Sequence, residues 1–496
     1  MPSAPTATPS EKSLVLAIDQ GGQSSRVALY RATGERVCLF SAPCATQSYV
    51  DEQQRVYVEQ DGEQILAGIR RCLQQIEDAL DEGLRISAAG FAGQGSSLLC
   101  WRRTSGTALS PVLSWQDRRA ESLLNDFPLT QDEVRRRTGV RISPHYGASK
   151  MRWCLDHYAS VAAAARDGQV MIGPIASYLF ANLLHSNAVC IDPGHAQRTL
   201  LWSLAGRQWD QELLDIFDLD ASILPRCVSH NSLFGRLQMA GQEIPLISCQ
   251  RDQGASLFAR GMPEADACYI NIGTGAFIQR IATDLEAPSG LLVSPLWLPD
   301  PAGGAPGLYA WEATVNGAAA AIDWLEEHIG MPLTPELIDS ALAEIGAKGD
   351  TYFLNAVGGL SAPYWRTDLQ SRFSGELTEQ EKIQAWLESV LFQLLINFQL
   401  MQSLGPVKRI YISGGLSRTD GLCQRLADLT GVVVLRSDNT EATLQGVAFT
   451  TAGMPTQWQA SGRDDRFVPG VDPLLQQRFE TWQKAMQAWL GGLKVQ

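Results

Sequence analysis

The chain predicts a mixed α/β fold built from two similar halves, and three glycine-rich turns carry that prediction. The first follows the apolar run Leu14–Ile18 and reads Asp19-Gln20-Gly21-Gly22-Gln23-Ser24-Ser25-Arg26, with Val27–Tyr30 returning after it. The second, Gly273-Thr274-Gly275, separates Ala267–Ile272 from Ala276–Ile281. The third, Gly414-Gly415, ends the run Ile410–Ser413. A glycine between two strands lets backbone N–H groups approach a ligand, and neighbouring hydroxyls add donors. Each turn alone is also ordinary hairpin chemistry. As a set they predict two half-molecules, each offering a phosphate-holding turn to a shared cleft.

The elements follow in order. Residues 1–12, rich in Pro, Ser, Thr and Ala, predict a disordered tail without the apolar core of a signal peptide. Leu14–Ile18, Val27–Tyr30 and Val37–Ser41 read as a strand meander turning at Thr33-Gly34-Glu35. Asp61–Leu80 has helical spacing through Ile65, Ile69, Cys72, Ile76 and Leu80. Ile86–Phe91 is a further strand, running into Gly93-Gln94-Gly95, and Leu98–Trp101 follows. The grammar then repeats. After the hairpin Ala267–Ile281 come helix candidates at Asn316–Ile329 and, amphipathic, at Lys382–Gln402, then strands at Arg409–Ser413 and Val432–Leu435. Glu441–Thr451 predicts a small-residue helix able to pack closely. The join between halves is expected within Leu257–Asp266, giving domains over residues 13–260 and 261–496.

Composition bounds the function. A chain of 496 residues is too long for one ordinary core. A formal charge of −13 argues against a nucleic-acid partner, because phosphate backbones need a basic face. It leaves room for a small anion such as ATP. The ten cysteines form no Cys-x-x-Cys pair or zinc-spaced cluster, and the six histidines make no metal-ligand pattern. Free thiols of that kind fit a reducing cytoplasm. No run reaches the roughly 20 apolar residues of a membrane span. A cytoplasmic protein is expected.

Two carboxylates draw attention. Asp19 ends an apolar strand, where burial would be costly unless a cation answers it. A magnesium ion carrying nucleotide phosphates would do so. Asp252 follows the apolar run Ile244–Cys249 and opens Gln253-Gly254-Ala255. It is either a general base facing a cleft or an ordinary helix N-cap. Phosphoryl transfer needs magnesium, donors around the phosphates and one base aimed at the acceptor hydroxyl. Arg26 could neutralise phosphate charge, with a solvated surface arginine the simpler reading. Trp202, Trp209, Trp324 and Trp386 read as packing residues, and Arg135-Arg136-Arg137 as a helix end or solvated face.

These stretches resemble the FGGY carbohydrate kinases, nearest to the glycerol-kinase-like members, over about residues 14–455. The matching pieces are Ala17-Ile-Asp-Gln-Gly with Ser24-Ser25-Arg26, Val58-Glu59-Gln60-Asp61, Ser114-Trp115-Gln116-Asp117-Arg118-Arg119 and Lys150-Met-Arg-Trp153. Then come Arg251-Asp252-Gln253-Gly-Ala255, Gly273-Thr274-Gly275, Ser361-Ala-Pro-Tyr-Trp365, Ser413-Gly414-Gly415 and Glu441-Ala-Thr-Leu-Gln-Gly446. Their shared order carries the resemblance. It implies two ribonuclease-H-like (actin-like ATPase) domains facing an interdomain cleft and closing over sugar and ATP. It makes Asp252 the catalytic base and Asp19 the magnesium-associated aspartate. It assigns Gln94, Gly95, Trp115, His145, Gln253 and Phe277, with Asp252, to the substrate. Gly21, Gly22, Gln23, Arg26, Gly273, Thr274, Gly275 and Asn316 are assigned to the nucleotide phosphates, and Gly414 and Gly415 to the adenosine. Dimers and tetramers are frequent in the family, so a homo-oligomer is an open alternative.

The departures bear on the substrate. Glycerol kinases carry an Arg-Glu pair after the strand-end Gln, whereas this chain has Gln94-Gly95-Ser96. The pocket is expected to be roomier and less polar there, which argues against glycerol and toward a larger ketose, a pentulose or a tetritol. His145 stands where glycerol kinases have Tyr, with Tyr146 beside it. Gly22-Gln23 replaces a hydroxyl pair, Ser413 an Asp, and Arg366 another Asp. The expected function is ATP-dependent phosphorylation of a small sugar or polyol. The alternatives are a glycerol kinase with an altered pocket, an actin-like ATPase regulator, and a catalytically silent sugar-binding paralogue.

Overall fold

The polypeptide divides into two compact units, each organised around its own seven-stranded sheet among the described residues. A computed structural model describes residues 13–80, 84–186, 189–239, 241–282, 284–343 and 350–491; the expected tail over residues 1–12 lies outside them. The first unit comprises Met1–Pro263, Ser294–Leu308 and Glu441–Ser461. Its sheet contains β1 (Ser13–Gln20), β2 (Ser24–Arg31), β3 (Arg36–Pro43), β4 (Arg85–Gly93), β5 (Leu184–His185), β6 (Gly235–Met239) and β7 (Gln242–Arg251). The strand order is β5-β6-β7-β4-β1-β2-β3.

The meander expected over β1 to β3 is antiparallel, while β1 and β7 both run parallel to β4. Gln20 and Arg251 both register with Gly93, so three parallel strands end in one row. Strand ends of that kind are where open α/β sheets place ligands. Every residue of β1 after Ser13 is buried, as expected of a central strand covered on both faces.

Side chains alternate between faces of a strand, so Val15, Ala17 and Asp19 share one side of β1. Val15 and Ala17 pack in one cluster with Leu444, Val447 and Ala448 of the helix Ala442–Thr451. That helix was expected among the small-residue elements, but within the second domain. It belongs instead to the first unit, because its small residues let it lie directly on β1 and β4. A Cβ on Gly446 would overlap the carbonyl oxygen of Ala255, in the turn that carries Asp252. Gly446→Ala should therefore cost about 3 kcal/mol or more, the upper range of core overpacking. Thermal unfolding of the variant should show a melting point lowered by several degrees. An unchanged melting point would mean the helix does not sit so close.

A five-stranded sheet also lies in the first unit, made of Thr46–Val50, Val56–Gln60, Val112–Leu113, Leu98–Arg102 and Val170–Pro174. The predicted helix near its start spans Gly62–Asp78, with Asp61 as N-cap accepting from the Glu63 and Gln64 N–H groups. Helix Gly147–His157 packs Met151, Trp153 and Cys154 into the same core as Leu98 and Ile172.

The second unit comprises Glu264–Val293, Tyr309–Thr440 and Gly462–Gln496. The second seven-stranded sheet contains β8 (Ala267–Ile272), β9 (Ala276–Ala282), β10 (Leu292–Trp297, of which Ser294–Trp297 falls within the first unit), β11 (Leu308–Val315), β12 (Arg409–Ser413), β13 (Val433–Ser437) and β14 (Asp464–Phe467). The order is β10-β11-β9-β8-β12-β13-β14. As in the first unit, a hairpin (β8–β9) joins parallel neighbours (β8–β12–β13).

Two helices differ from expectation. Glu379–Met401, expected to be amphipathic, is buried on nearly every side, with Trp386 fully enclosed and Glu388 held by Arg478 at 2.8 Å. Its capping box of Thr378 and Glu381 starts it three residues early. The helix expected from Asn316 begins only at Ile322, after a 3-10 turn over Ala319–Ala321. Asn316 cannot join it, because its N–H donates to Ser361 Oγ and its amide to the Gly358 and Gly359 carbonyls. Among the described residues no helix is long and apolar enough to cross a membrane.

Candidate active site

In the first unit, β1 carries Asp19 and the end of β7 carries Asp252, on either side of β4. Asp252 begins the short helix Asp252–Ser256, and Arg251 is the N-cap residue, so the N-cap alternative does not hold. Its Oδ1 accepts the Gln253 N–H at 2.7 Å, while the Thr443 hydroxyl holds its carbonyl at 3.4 Å. Burial pushes its carboxyl above the ordinary range, against the Gln253 N–H and then the pull of Arg251. Asp19 is 6% exposed, and its Oδ1 has no hydrogen-bond partner. Burial first, then the charge of Asp252, push its pKa up to about 7. These are two under-neutralised carboxylates at the ligand-binding edge of one sheet.

Arg26 is not a free surface arginine. It faces Asp19 across β1 and β2, with Nη1 at 3.9 Å from Asp19 Oδ2 and 3.0 Å from Glu441 Oε2. The turn between these strands is closed by the Gly21 N–H on the Ser24 carbonyl at 2.9 Å. Gly22 and Gln23 are exposed, and the Gly22 carbonyl takes the Gln60 amide at 2.6 Å.

Gln94 is buried, and its amide is engaged by protein groups. Its Nε2 donates to Gln60 Oε1 at 2.9 Å and Gln20 Oε1 at 3.2 Å, and its Oε1 accepts from Ser97 Oγ at 2.7 Å. Gly95 overturns the expectation of a roomier, less polar pocket. A Cβ there would stand 2.9 Å from Arg251 Cδ and 3.2 Å from Arg198 Cγ. The space left by the missing side chain is filled by two arginines from elsewhere in the chain. Arg198 also reaches Tyr146 Oη at 3.2 Å and Ser294 Oγ at 3.0 Å.

Trp115 and His145 meet, with ring centroids 6.1 Å apart and His145 Nδ1 at 3.0 Å from the Trp115 carbonyl oxygen. Lys150 fixes them from beneath. Its buried ammonium donates to the carbonyls of Ser114 (2.9 Å) and His145 (3.0 Å), and burial lowers its pKa to about 7. Asp117 and Arg119 lock the same loop. Arg119 binds Asp117 through Nε and Nη2, Glu59 at 2.6 Å and the Tyr158 hydroxyl at 2.9 Å. The Ser114–Arg119 string thus holds Trp115 in place more than it offers groups to a ligand.

The second unit carries the remaining predicted residues. Gly273 donates to the Gly275 carbonyl at 2.9 Å, and the Gly273 and Thr274 carbonyls accept from Ala319 and Ala320. Phe277 is half-buried on β9, opposite Asn271. Ser413 Oγ accepts from Asn271 Nδ2 at 3.0 Å, tying β12 to the hairpin strand β8. Gly414 has φ 97°, a left-handed conformation in which a side chain would strike the Ile272 backbone. Gly415 opens the 3-10 turn Gly415–Arg418, whose last residue lines a cavity of about 420 Å³ together with Asp339, Leu342, Asp420 and Gly421. Arg366 pairs with Asp368 through two hydrogen bonds of 2.7 and 2.6 Å.

One buried cluster had no signal in the sequence. Asp192, His195 and Cys249 bring potential metal-ligand atoms within 4.8 Å of one another, and His230 stands 3.4 Å from Asp192 Oδ1. Asp192 and His195 are near neighbours, but Cys249 and His230 come from distant segments, so no ligand spacing can be read. The Gly194 and His195 N–H groups, the His195 Nδ1 and the Cys249 thiol (3.1 Å) all turn to the Asp192 carboxylate. His230 Nδ1 accepts the Leu298 N–H at 2.9 Å, so its Nε2 carries the proton that faces Asp192. The cluster is a carboxylate surrounded by donors, not a set of open metal ligands.

The model for the FGGY family of carbohydrate kinases, N-terminal domain, matches residues 14–259, and that for its C-terminal domain matches residues 268–453. A glycerol kinase of Geobacter sp. (strain M21) is 31% identical over 499 residues, covering 96% of this chain and 99% of the relative. Among solved structures, Plasmodium falciparum glycerol kinase with ADP superposes with a TM-score of 0.84 at 22% identity, covering 96% of this chain and 98% of the other. A ligand-bound xylulose kinase from Lactobacillus acidophilus gives 0.79 at 18% identity and 97% of both chains. At such identities the structures speak for the fold, a pair of α/β units of the ribonuclease-H-like, actin-like ATPase kind. The chain belongs to the FGGY family of carbohydrate kinases, phosphotransferases with an alcohol group as acceptor.

Proposed function

We propose that the protein transfers the γ-phosphoryl group of magnesium-bound ATP to a hydroxyl of a small sugar or polyol, with Asp252 as general base. The observation that carries this reading is the pair Asp19 and Asp252. Both are carboxylates at the carboxyl ends of parallel strands, and both are held above the ordinary pKa by burial. A base must be able to take a proton near neutral pH, and desolvation moves a carboxylate in that direction. Asp252 would accept the proton of the attacking hydroxyl while its backbone is fixed through Thr443.

Asp19 fits a cation. Its buried Oδ1 lacks a partner, and Arg26 approaches only its other oxygen, at 3.9 Å. Magnesium bound there would offset the negative charge of the phosphates. Arg26, held by Glu441, would do the same from the adjacent strand, beside Gly21, Gly22 and Gln23. In the second unit, Gly273, Thr274, Gly275 and Asn316 are the residues proposed for the phosphates. Gly414 and Gly415, at the start of the turn whose Arg418 lines the 420 Å³ cavity, are those proposed for the adenosine.

For the acceptor, Gly95 and Ser96 in place of an Arg-Glu pair argue against glycerol held in the glycerol-kinase manner, and a ketose, pentulose or tetritol is proposed in its place although the arginine stems leave no extra room there. Arg198 and Arg251 return positive charge to that place from other segments. Trp115, His145, Gln253 and Phe277 complete the proposed substrate residues. The test is ADP release from magnesium-ATP across a panel of polyols and ketoses, glycerol included. Saturable release with a tetritol or ketose and weak release with glycerol is expected. Glycerol as the best acceptor would restore the altered-pocket glycerol kinase, and release indifferent to every sugar the actin-like ATPase.

A further inference from the structure

His195 is completely buried, yet half of its imidazole has no partner. The Asp192 carboxylate holds the ring through Nδ1, which fixes the tautomer with the proton on Nδ1 and a lone pair on Nε2. Nε2 meets no hydrogen-bond partner. An unmet buried acceptor costs about 1–3 kcal/mol, so a group that answers it is expected.

The place of that lone pair is informative. An ideal Cβ built on Gly93 would stand 3.6 Å from His195 Nε2. Gly93 is the middle residue of the row Gln20–Gly93–Arg251 in which three parallel strands end. Asp252 follows Arg251 directly. Gly95, two residues beyond Gly93, is overlaid by Arg251 and Arg198. The nitrogen therefore lies at the ligand-binding edge of the sheet beside the proposed base.

The support behind the ring is elaborate for a packing residue. Asp192 caps the helix Pro193–Gln197 through the Gly194 and His195 N–H groups at 2.8 and 3.2 Å. Burial would raise its pKa, but His195, His230 and the Cys249 thiol overcome that and hold it well below the ordinary range. A carboxylate kept ionised by donors on every side is a firm anchor for one ring orientation.

We infer that His195 Nε2 accepts a hydrogen bond from a hydroxyl of the acceptor substrate other than the one phosphorylated, with Asp192 as the positioning residue. The inference rests on the kinase reading above and names a specificity residue within it. His195 selects an acceptor carrying a second hydroxyl at a fixed place, which rewards polyhydroxy compounds over simple alcohols.

The experiment is steady-state kinetics of the full-length protein and of His195→Asn, with the best acceptor of the panel and with analogues lacking one hydroxyl each. Asparagine keeps an amide N–H for Asp192 and removes the Nε2 acceptor. The variant should raise the KM of the acceptor at least about tenfold, the worth of one such hydrogen bond. The KM for ATP should stay within about twofold. One deoxy analogue should suffer a similar loss with the wild-type protein and none with the variant. A merely structural histidine would give no such match. His195→Gln, with an amide reaching further into the site, should recover part of the affinity, and it serves if the asparagine variant unfolds. An acceptor KM unchanged in a folded variant, or every deoxy analogue equally affected by both proteins, overturns the inference and leaves the kinase reading intact. No acceptor-dependent turnover by the wild type would defeat both.

Discussion

Asp252→Asn should leave a folded protein whose acceptor-dependent turnover is lower by about 100- to 10,000-fold, the usual contribution of a general base. Asparagine preserves the shape and can still accept the Gln253 N–H, which the carboxylate takes at 2.7 Å. What it loses is the capacity to remove a proton. The KM for ATP should change little, because the effect falls on the chemical step. In the wild-type protein, kcat/KM should fall as the pH is lowered through the pKa of Asp252, which burial has raised. That acid limb should vanish from the residual activity of the variant. Turnover within threefold of wild type would mean that Asp252 is not the base.

Asp19→Asn should abolish magnesium-dependent turnover and, in the metal-free protein, should raise stability at pH 8. The sign follows from a folded-state pKa of about 7 against a model value of 3.8. A carboxyl whose pKa is raised on folding contributes its stability at low pH, and that contribution is lost as the pH rises from about 4 through 7. At pH 8 the ionised Asp19 therefore costs the wild-type protein roughly 4 kcal/mol, which a neutral asparagine does not carry. Melting curves without metal should show the variant above the wild type at pH 8, with the gap closing toward pH 4. Added magnesium and nucleotide should raise the melting point of the wild type more than that of the variant. A variant that melts lower than wild type at pH 8 would contradict the placement of Asp19 in an unneutralised site.

Much of this site was legible because the chemistry lies in contiguous strings. Asp19 stands out as a charge at the end of an apolar strand, and Asp252 as a charge just after another. The hairpins on either side of Gly21-Gly22 and Gly273-Thr274-Gly275 follow from strand alternation and turn residues alone. What escaped is what only the fold brings together. Glu441 is 415 residues from Arg26, yet they form an ion pair of 3.0 Å. Arg251 was visible beside the base, but that its stem covers Gly95 could not be read without the register of β4 and β7. The expected roominess there failed for that reason. His195 looked like one histidine among six without a pattern, and its meaning comes from Asp192, Cys249 and His230 converging on it. The amphipathic reading of the helix at Glu379–Met401 failed differently. Gln384, Glu388 and the amide N–H groups of Asn397 find partners inside the core that periodicity does not reveal.

The role of Gly446 joins packing to chemistry. The helix it belongs to starts beside Glu441, which holds Arg26, and carries Thr443, which holds Asp252. Loosening that helix should therefore disturb the proposed base and the proposed cation site together. The loss of activity in Gly446→Ala should exceed the loss of folded protein.

The most direct measurement is the stoichiometry of the reaction. ADP and the phosphomonoester of the acceptor should be quantified in one sample, the latter by phosphorus NMR, with and without the acceptor. One phosphomonoester for each ADP is expected, with little ADP when the acceptor is left out, because the proposed base Asp252 takes its proton from an alcohol. ADP released at the same rate without the acceptor, accompanied by inorganic phosphate alone, would contradict it.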